Sequence, residues 1–264
     1  MTVTDEPLLE LRGVTKSFGS VQALSEVDFE VRHGEVMALV GDNGAGKSTL
    51  IKCVAGTHAV DSGQIRFEGK EVHIHGPRDA ANLGIEVVYQ DLALCDNLDV
   101  VQNMYLGREE HDRLQRLKEP IMELRTAETL KSLAVTTINS IRQPVASLSG
   151  GQRQSVAVAK AVQWNSKLVI LDEPTAALGV AQTEQVLALV RRLGEQGLAV
   201  VIISHNLHDI FETADRITVL RLGRNVGLYE RAKTTQQEVV EAITAGVPTK
   251  VSGITTTAAA GAAQ

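Results

Sequence analysis

The chain has 264 residues and a formal net charge of −6, with 44% apolar and 3% aromatic residues. This composition is typical of a folded protein, and the acidic balance argues against a general nucleic-acid-binding role. No apolar run approaches the roughly 18 residues that span a bilayer, and the first ten residues lack the basic and apolar segments of a secretory signal. Two cysteines, Cys53 and Cys95, are too few for a disulfide framework and favour reduced thiols in the cytoplasm.

The first predicted elements are two half-exposed strands and one buried strand. Apolar and polar residues alternate over residues 9–14 and 27–31, which favours strands of a partly exposed sheet. Residues 36–40 are an unbroken apolar run, as expected for a strand that is buried on both faces. A glycine-rich turn and a helix at about residues 47–55 follow. Further strands are predicted at residues 64–67, 71–74, 85–89, 168–171 and 198–203.

The second half of the chain shows the pattern of a parallel sheet. A helical apolar face over residues 180–193 lies between two unbroken apolar runs. Strand, helix and strand in this order predict a crossover connection between parallel strands. The chain then continues with a predicted hairpin around Gly223 (residues 217–220 and 226–229) and a last helix that begins with the capping box of Thr235 and Glu238 and ends near Gly246.

The middle of the chain differs, because it has almost no strand pattern between residues 91 and 163. Helices are predicted there at residues 100–105, 121–133 and 152–162. We therefore expect an α/β core that is interrupted by a helical insertion. The predicted boundaries are an α/β core at residues 1–90 and 164–248, a helical subdomain at 91–163, and a disordered, low-complexity tail at 249–264.

Residues 41–48, Gly-Asp-Asn-Gly-Ala-Gly-Lys-Ser, fit the phosphate-binding pattern G-x-x-x-x-G-K-[ST] in full. The motif follows a buried strand and opens a helix, which is the context that it requires. Glycines let the backbone approach phosphate oxygens, and the helix N-terminus attracts anions. Lys47 would reach the β and γ phosphates, and Ser48 would supply a hydroxyl to Mg²⁺. The context disfavours the alternative of a simple glycine-rich turn with a surface lysine.

Two carboxylates follow the apolar run at residues 168–171. In a parallel sheet the carboxyl end of such a strand faces the phosphate loop. Asp172 could therefore hold Mg²⁺, and Glu173 could polarise an attacking water molecule. A strand that ends in acidic residues is common in itself, so this interpretation depends on the phosphate loop.

A second anion site is predicted at residues 148–152, Leu-Ser-Gly-Gly-Gln. Serine and two glycines at the start of a helix present free N–H groups to an anion. The pentapeptide lies in the predicted helical insertion, so it cannot belong to the same phosphate site as residues 41–48. It also lies 20 residues before Asp172, and this spacing disfavours an ordinary capped helix.

These motifs, in this order and spacing, closely resemble those of an ATP-binding cassette subunit, the motor of ABC transporters, over about residues 8–245. The resemblance implies a P-loop NTPase (RecA-like) α/β core with an antiparallel β subdomain and an inserted α-helical subdomain. It also implies that ATP and Mg²⁺ are bound and that ATP is hydrolysed. In this family two subunits form a head-to-tail dimer, with each ATP held between the phosphate loop of one chain and the 148–152 signature of the other.

The resemblance further implies individual roles. Phe18, 23 residues before Gly41, would stack on adenine, and Gln90 would contact Mg²⁺ and water and couple to the membrane partner. His205 would contact the γ-phosphate and support Glu173, so the implied catalytic residues are Glu173, His205 and Gln90. Ser48, Gln90 and Asp172 are implied as the metal site. The implied nucleotide-binding residues are Phe18, Gly41, Asp42, Asn43, Gly44, Ala45, Gly46, Lys47, Ser48 and Thr49, with Ser149, Gly150, Gly151 and Gln152 of a second chain.

Other polar residues have simpler interpretations. A single histidine after a buried strand, such as His205, is more often structural than catalytic, and its i, i+3 spacing to His208 is too little for a zinc site. His73 and His75 alternate along a predicted exposed strand, so we expect them to be solvated. The charges of residues 108–125 have both signs, which predicts a solvated helical face.

One position departs from the family pattern, since Gly179 stands where an aspartate usually contacts the opposing subunit. The local sequence around it, Glu-Pro-Thr-Ala-Ala-Leu-Gly at residues 173–179, looks most like the ATP-binding subunits of bacterial monosaccharide importers (ribose, xylose or fructose), in the single-cassette form. The absence of a regulatory C-terminal domain argues against the oligosaccharide branch.

The resemblance thus implies an importer motor at the cytoplasmic face of the inner membrane. It would bind integral-membrane permease subunits and a second copy of itself, with a paralogous chain as the alternative partner in the dimer. It would act indirectly with a secreted sugar-binding protein and would not bind nucleic acid. A motor of an exporter shares the same motifs. A soluble ABC ATPase of translation or DNA repair usually has tandem cassettes, a long coiled coil or a basic segment, none of which this sequence shows.

Overall fold

A computed structural model describes residues 6–246, so the predicted tail at residues 249–264 lies outside the described residues. The strands are β1 (Leu9–Phe18), β2 (Val21–Val31), β3 (Val36–Val40), β4 (Ser62–Phe67), β5 (Lys70–Val72), β6 (Ile85–Val88), β7 (Leu168–Asp172), β8 (Ala199–Ile203), β9 (Arg216–Arg221) and β10 (Arg224–Glu230). The α-helices are α1 (Lys47–Val54), α2 (Pro77–Leu83), α3 (Val100–Tyr105), α4 (Glu119–Ser132), α5 (Gly150–Val162), α6 (Val180–Glu195), α7 (Leu207–Thr213) and α8 (Gln236–Ala245).

The strands form two sheets, as the sequence predicts. An antiparallel sheet has the order β2-β1-β4-β5, and a six-stranded sheet has the order β10-β9-β3-β8-β7-β6. In the larger sheet β9, β3, β8, β7 and β6 run parallel, and only the hairpin strand β10 is antiparallel. Mixed α/β topology with a central β3 therefore confirms the predicted fold class.

The position of β3 in the fold explains why all five of its residues are apolar. Its side chains alternate between two separate hydrophobic cores, one on each face of the sheet. Val36, Ala38 and Val40 pack with the helices α3 to α6 and α8, whereas Met37 and Leu39 pack with α1 and the antiparallel sheet. Because both faces of the strand are covered, a polar side chain at any of its positions would be buried away from water.

The chain between β6 and β7 carries three of the α-helices, and its only strand-like pairs in the described residues are two isolated bridges. Arg142 ties this helical region together, because its guanidinium donates to Asp99 (3.0 Å), Glu119 (2.7 Å) and Glu123 (2.7 Å). The helical content agrees with the expected insertion, and the exact boundaries at residues 90/91 and 163/164 stay a prediction.

Two local predictions are wrong. The strand predicted at residues 71–74 ends at Val72, because the N–H groups of His75 and Gly76 turn to the carboxylate of Asp79 at the start of α2. His73 and His75 are nevertheless exposed, with ring centroids 6.3 Å apart. Residues 108–118 are exposed or half-buried but are not helical, since α4 begins only at Glu119.

No helix within residues 6–246 is both long and apolar enough to cross a membrane.

Candidate nucleotide-binding site

The predicted site residues converge on one edge of the parallel sheet. The phosphate-loop sequence connects β3 to α1, the acidic pair ends β7, and His205 follows β8. Strand β8 lies between β3 and β7, so the carboxyl ends of all three strands meet at the same edge. This edge is where open parallel α/β sheets bind their ligands.

The backbone of the phosphate loop depends on glycine at two points. A Cβ atom on Gly41 would lie 2.1 Å from the carbonyl oxygen of Leu220, so no side chain fits there. Gly46 has φ +100°, in the left-handed region that favours glycine, and it stands at the start of α1. Helix α1 begins without a side-chain cap, and its first N–H groups are therefore free to bind an anion.

The ammonium group of Lys47 lies inside the loop. Its Nζ donates to the carbonyl oxygens of Gly41 (2.7 Å) and Asp42 (3.0 Å). Burial lowers the pKa of Lys47, while Glu173, Asp42 and Asp172 act in the opposite direction through their negative charges. The lysine is thus positioned between the loop carbonyls and the acidic pair, where it could compensate the charge of a bound phosphate.

Asp172 and Glu173 bring two carboxylates into a half-buried place. Burial is the main cause that raises the pKa of Asp172, and the neighbouring charge of Glu173 raises it further, against the opposing charges of Lys47 and Lys52. Such a desolvated carboxylate favours a cation. Within residues 6–246 no three His, Cys, Asp or Glu side chains gather as a metal site. A half-buried carboxylate at the edge of the sheet beside the phosphate loop fits Mg²⁺, which keeps several waters and binds phosphate oxygens together with one or two carboxylates.

Glu173 and His205 form a direct pair. Nδ1 of His205 lies 2.8 Å from Oε2 of Glu173, and the imidazole is 76% exposed whereas the carboxylate is 17% exposed. The Glu173 backbone has φ +50° and its N–H donates to the carbonyl oxygen of Ile203 at 2.9 Å. A non-glycine residue in this region carries a strain of about 1 kcal/mol or more, which is typical of functional sites. His208 points to a different partner, Glu212, at 3.9 Å.

Phe18 and Gln90 lie at the surface, where a ligand can reach them. The Phe18 ring is 45% exposed at the end of β1, and it contacts the ring of His58 edge-on, with centroids 5.1 Å apart. Lys16 Nζ lies 5.6 Å from the centroid of the Phe18 ring. Gln90 is exposed two residues after β6, whose partner is β7, so it follows the same sheet edge as Asp172.

The signature sequence caps α5. The Ser149 hydroxyl accepts from the N–H of Gln152 (3.4 Å), and the Gln152 side chain accepts from the N–H of Ser149 (2.8 Å). A Cβ atom on Gly150 would lie 2.9 Å from Leu178, which brings this helix end against the chain that leads into α6. Among the described residues, no hydrogen bond or ion pair joins residues 149–152 to the phosphate loop of the same chain.

A pocket of about 480 Å³ opens beside the phosphate loop. Its lining comes from the loop, from the chain after β8 and from α8: Val40, Gly41, Asp42, Asn43, Ser204, His205, Leu207, Val240, Ile243 and Thr244. The pocket places the His205 ring and the start of the phosphate loop along one cavity.

Sequence reasoning missed two residues of this site, Thr175 and Asp209. The Thr175 hydroxyl donates to Oδ2 of Asp209 at 2.7 Å, and the Asn206 amide donates to Oδ1 at 2.8 Å. The available signal was the spacing Asn206-x-x-Asp209, which resembles a capped helix start right after His205.

Two relatives match almost the whole chain. The xylose/arabinose import ATP-binding protein of Sulfolobus acidocaldarius is 48% identical over 237 residues, which is 90% of this chain and 94% of that protein. The fructose import ATP-binding protein of Rhizobium meliloti is 44% identical over 248 residues, which is 92% of this chain and 95% of that protein.

Solved structures share the fold. The protein cbiO1 from Clostridium perfringens, part of the ABC transporter complex cbiONQ, superposes with a TM-score of 0.76 at 26% identity, over 89% of this chain and 93% of that chain. A dimeric ATP-binding cassette bound to ADP and Pi, MJ0796, has a TM-score of 0.71 at 24% identity, over 84% of this chain and 98% of that chain.

The family model described as ABC transporter matches residues 24–176, from within β2 through the phosphate loop, the signature and the acidic pair. The match covers more than half of the chain, and the two relatives extend it to about nine tenths. The chain therefore belongs to the ABC transporter family, as an ATP-binding cassette that hydrolyses ATP.

Proposed function

We propose that this chain is the ATP-hydrolysing motor of an importer and energises the uptake of a simple sugar through separate permease subunits. The observation that carries the proposal is the pair of relatives at 48% and 44% identity, both named import ATP-binding proteins for sugars. The chain would work as a peripheral subunit at the cytoplasmic face of the inner membrane, and a secreted sugar-binding protein would deliver the substrate to the permease.

Binding of ATP would begin at the phosphate loop. The free N–H groups at the start of α1 and the ammonium of Lys47 would hold the β and γ phosphates, and Lys47 would exchange its two carbonyl partners for phosphate oxygens. The exposed face of the Phe18 ring would stack on adenine, supported edge-on by His58. Residues 41–49 would thus hold the phosphates, and Phe18 would hold the adenine.

Asp172 and Ser48 would hold Mg²⁺, with Gln90 contributing from the neighbouring strand end. The cation supplies positive charge to the phosphate oxygens when it is bound. Asp172 must be ionised for this role, and burial raises its pKa and so makes the site depend on the charge that Lys47 and the cation provide.

Glu173 would act as the general base for the attacking water, and His205 would hold it in place. A carboxylate only accepts hydrogen bonds, so Nδ1 of His205 must be the donor in their 2.8 Å contact. Nε2 then remains for the γ-phosphate. A hydrogen bond from Nε2 to a phosphate oxygen requires that both ring nitrogens carry a proton.

We further infer that the working unit is a dimer of two copies. Each chain has one phosphate loop and one signature sequence, and no hydrogen bond or ion pair joins the two within the described residues. The signature helix α5 of the second copy would complete the phosphate site with Ser149, Gly150 and Gly151. ATP would then supply the charge that closes the interface, and hydrolysis would remove it.

Uptake of labelled sugars tests the proposed function. A strain that lacks the gene should lose accumulation of one or a few members of a panel that contains ribose, xylose, arabinose and fructose. The wild-type gene should restore uptake, and the Lys47→Ala variant should not, because it loses the phosphate-binding ammonium. Normal accumulation of every sugar in the deletion strain, or increased accumulation that indicates export, would contradict the proposal.

Glu173→Gln tests the hydrolytic role. The amide keeps the size of the side chain but is a far weaker base, so ATP should bind and remain uncleaved, and the dimer should accumulate. Gel filtration with Mg²⁺ and ATP should show a shift to twice the monomer mass, together with a loss of phosphate release. The exposed Glu184→Gln is the matched control and should hydrolyse ATP at the wild-type rate. A monomer that still releases phosphate in Glu173→Gln would refute the role.

A further inference from the structure

Side-chain contacts join the chain segments that carry Glu173 and His205 at two places. At the surface, Nδ1 of His205 contacts Oε2 of Glu173 at 2.8 Å. Beneath this pair, Asp209 of α7 accepts one hydrogen bond from each segment, from the Thr175 hydroxyl (2.7 Å) and from the Asn206 amide (2.8 Å). The result is a closed ring of contacts that runs through both segments.

Asp209 is buried, with 2% of its surface exposed, unlike the exposed imidazole of His205. Each of its carboxylate oxygens has one side-chain donor, and the donors come from two different loops. A buried carboxylate is costly unless such bonds satisfy it, so the two loops lose a substantial interaction if either one moves. The carboxylate therefore fixes the distance between the loops.

Backbone hydrogen bonds join the same two chain segments. Glu173 lies at φ +50°, and its N–H is bonded to Ile203, two residues before His205. Asn206 also caps α7, because its Oδ1 accepts from the N–H of His208 at 3.0 Å. Asn206, which directly follows His205, thus connects this histidine to the start of α7 and to Asp209.

We propose that Asp209 is a positioning residue for ATP hydrolysis, which acts through Thr175 and Asn206 to hold Glu173 against His205. Asp209 does not contact the nucleotide in this proposal. The inference rests on the proposed function, in which Glu173 and His205 act on ATP, and it adds the buried group that keeps them in register.

Thr175→Val is the most direct test, because it keeps the shape of the side chain and removes the donor to Asp209. We expect kcat for ATP hydrolysis to fall by about tenfold, the effect of losing one buried hydrogen bond to a charged group. KM for ATP should stay within about twofold, since the phosphate loop and Phe18 are untouched. Thr175→Ser keeps the hydroxyl and should retain nearly the wild-type kcat, and Asp209→Asn, which can accept only one of the two bonds, should resemble Thr175→Val.

Thr213→Val is the matched control. Thr213 is buried on the same helix, and its hydroxyl donates to the backbone oxygen of Asp209 at 2.7 Å rather than to the carboxylate. This variant loses a buried hydrogen bond of similar length but keeps the hydrogen bonds of the Asp209 carboxylate and the contact between Glu173 and His205. It should therefore lower the thermal midpoint about as much as Thr175→Val does, with kcat unchanged.

Thr175→Val in a Glu173→Gln background separates an effect on the position of Glu173 from an effect on general stability. If Asp209 acts through the Glu173–His205 pair, Thr175→Val should not lower the residual rate further when Glu173 is already changed. An equal loss of kcat in Thr213→Val, or an additive loss in the Glu173→Gln background, would overturn the inference and leave the proposed function intact. A full rate in Glu173→Gln alone would overturn the role of Glu173, and the inference with it.

Discussion

The Asp172 carboxylate is unfavourably placed in the free protein. It is half-buried beside a second carboxylate, and these two causes raise its pKa despite the opposing charges of Lys47 and Lys52. A group whose pKa is raised on folding favours the native state when it is protonated and disfavours it when it is ionised. At neutral pH, therefore, the residue that would hold the metal lowers the stability of the fold.

Asp172→Asn should stabilise the ligand-free protein while it abolishes Mg²⁺-dependent hydrolysis. At pH 7 we expect the thermal midpoint to rise by about 2 °C. The gain should shrink as the pH falls through the raised pKa of Asp172 towards its ordinary value of 3.8, because both side chains are then neutral. Differential scanning fluorimetry between pH 4.5 and pH 7.5, with no nucleotide or Mg²⁺, measures this difference.

The exposed Asp91→Asn is the control for this experiment, since it removes the same charge from the surface. Its midpoint should follow that of the wild type at every pH. A lower midpoint for Asp172→Asn at pH 7 would show that the attraction to Lys47 outweighs burial and the charge of Glu173, and would contradict the argument.

Single residues of the site differ in how well the sequence predicts them. Residues 41–48 are predictable because a phosphate loop needs glycine, lysine and serine at fixed spacing. The contact between Glu173 and His205 depends on family resemblance, since they are 32 residues apart and a lone histidine has several interpretations. Thr175 shows no sequence pattern and Asp209 shows only its spacing from Asn206, because the hydrogen bond between Thr175 and Asp209 joins the chain after β7 to α7 through the tertiary fold.

At the scale of elements, the buried strands and the short helix α3 are predictable, whereas the short helices α2 and α7 are not. Strands β3, β7 and β8 are unbroken apolar runs because each is covered on both faces. Helices α2 and α7 have seven residues each, which is less than two full turns, so no apolar period can be recognised. Clearer signals than composition are Asp79 and Asn206, whose side-chain oxygens accept hydrogen bonds from backbone N–H groups at the helix N-termini.

The start of α6 gives a physical account of the departure at Gly179. Gly179 is the N-cap residue of this helix, and no side chain caps it. Its carbonyl oxygen accepts from the N–H groups of Gln182 (3.0 Å) and Thr183 (2.9 Å), and a Cβ atom here would meet nothing within 4 Å. The usual aspartate would therefore fit in this chain, as a helix cap as well as a possible contact to a second subunit.

Gly179→Asp should make the protein more stable, by about 0.5 kcal/mol in the free energy of unfolding, because the carboxylate caps α6 and interacts with its positive end. Gly179→Asn supplies a neutral cap of the same size, and its free energy of unfolding should rise by less. Urea unfolding of both variants at low salt measures the two contributions, and the difference between them should decrease at high salt. If the Gly179→Asp variant were less stable than the wild type, the aspartate side chain would not be capping the N-terminus of α6, and the argument would be wrong.

At the scale of the whole molecule, ion pairs join the two sheets away from the nucleotide edge. Arg216 of β9 reaches Glu30 of β2 at 2.5 Å and Glu35 at 3.2 Å, before the start of β3. Burial raises the pKa of Glu35, against the opposing charge of Arg216. These ion pairs connect the antiparallel sheet, which carries Phe18, to the parallel sheet, which precedes the phosphate loop. The two sheets also share one hydrophobic core.

One chain contains the parts of two half-sites, because residues 41–49 and the signature at 148–152 lie on different elements. A head-to-tail dimer predicts that two inactive variants can restore each other. In a mixed dimer of Lys47→Ala and Ser149→Arg, the intact phosphate loop of one chain faces the intact signature of the other. The second site of that dimer carries both defects, so one of the two sites should hydrolyse ATP.

Random pairing in an equal mixture gives half mixed dimers with one working site each, so the mixture should reach about a quarter of the wild-type rate. Each variant alone should be nearly inactive, and two batches of Lys47→Ala mixed together are the control for mixing itself. Phosphate release with Mg²⁺ and ATP is the measurement. If each site used the signature of its own chain, every subunit in the mixture would contain one defect and no activity would return, which would exclude the head-to-tail arrangement.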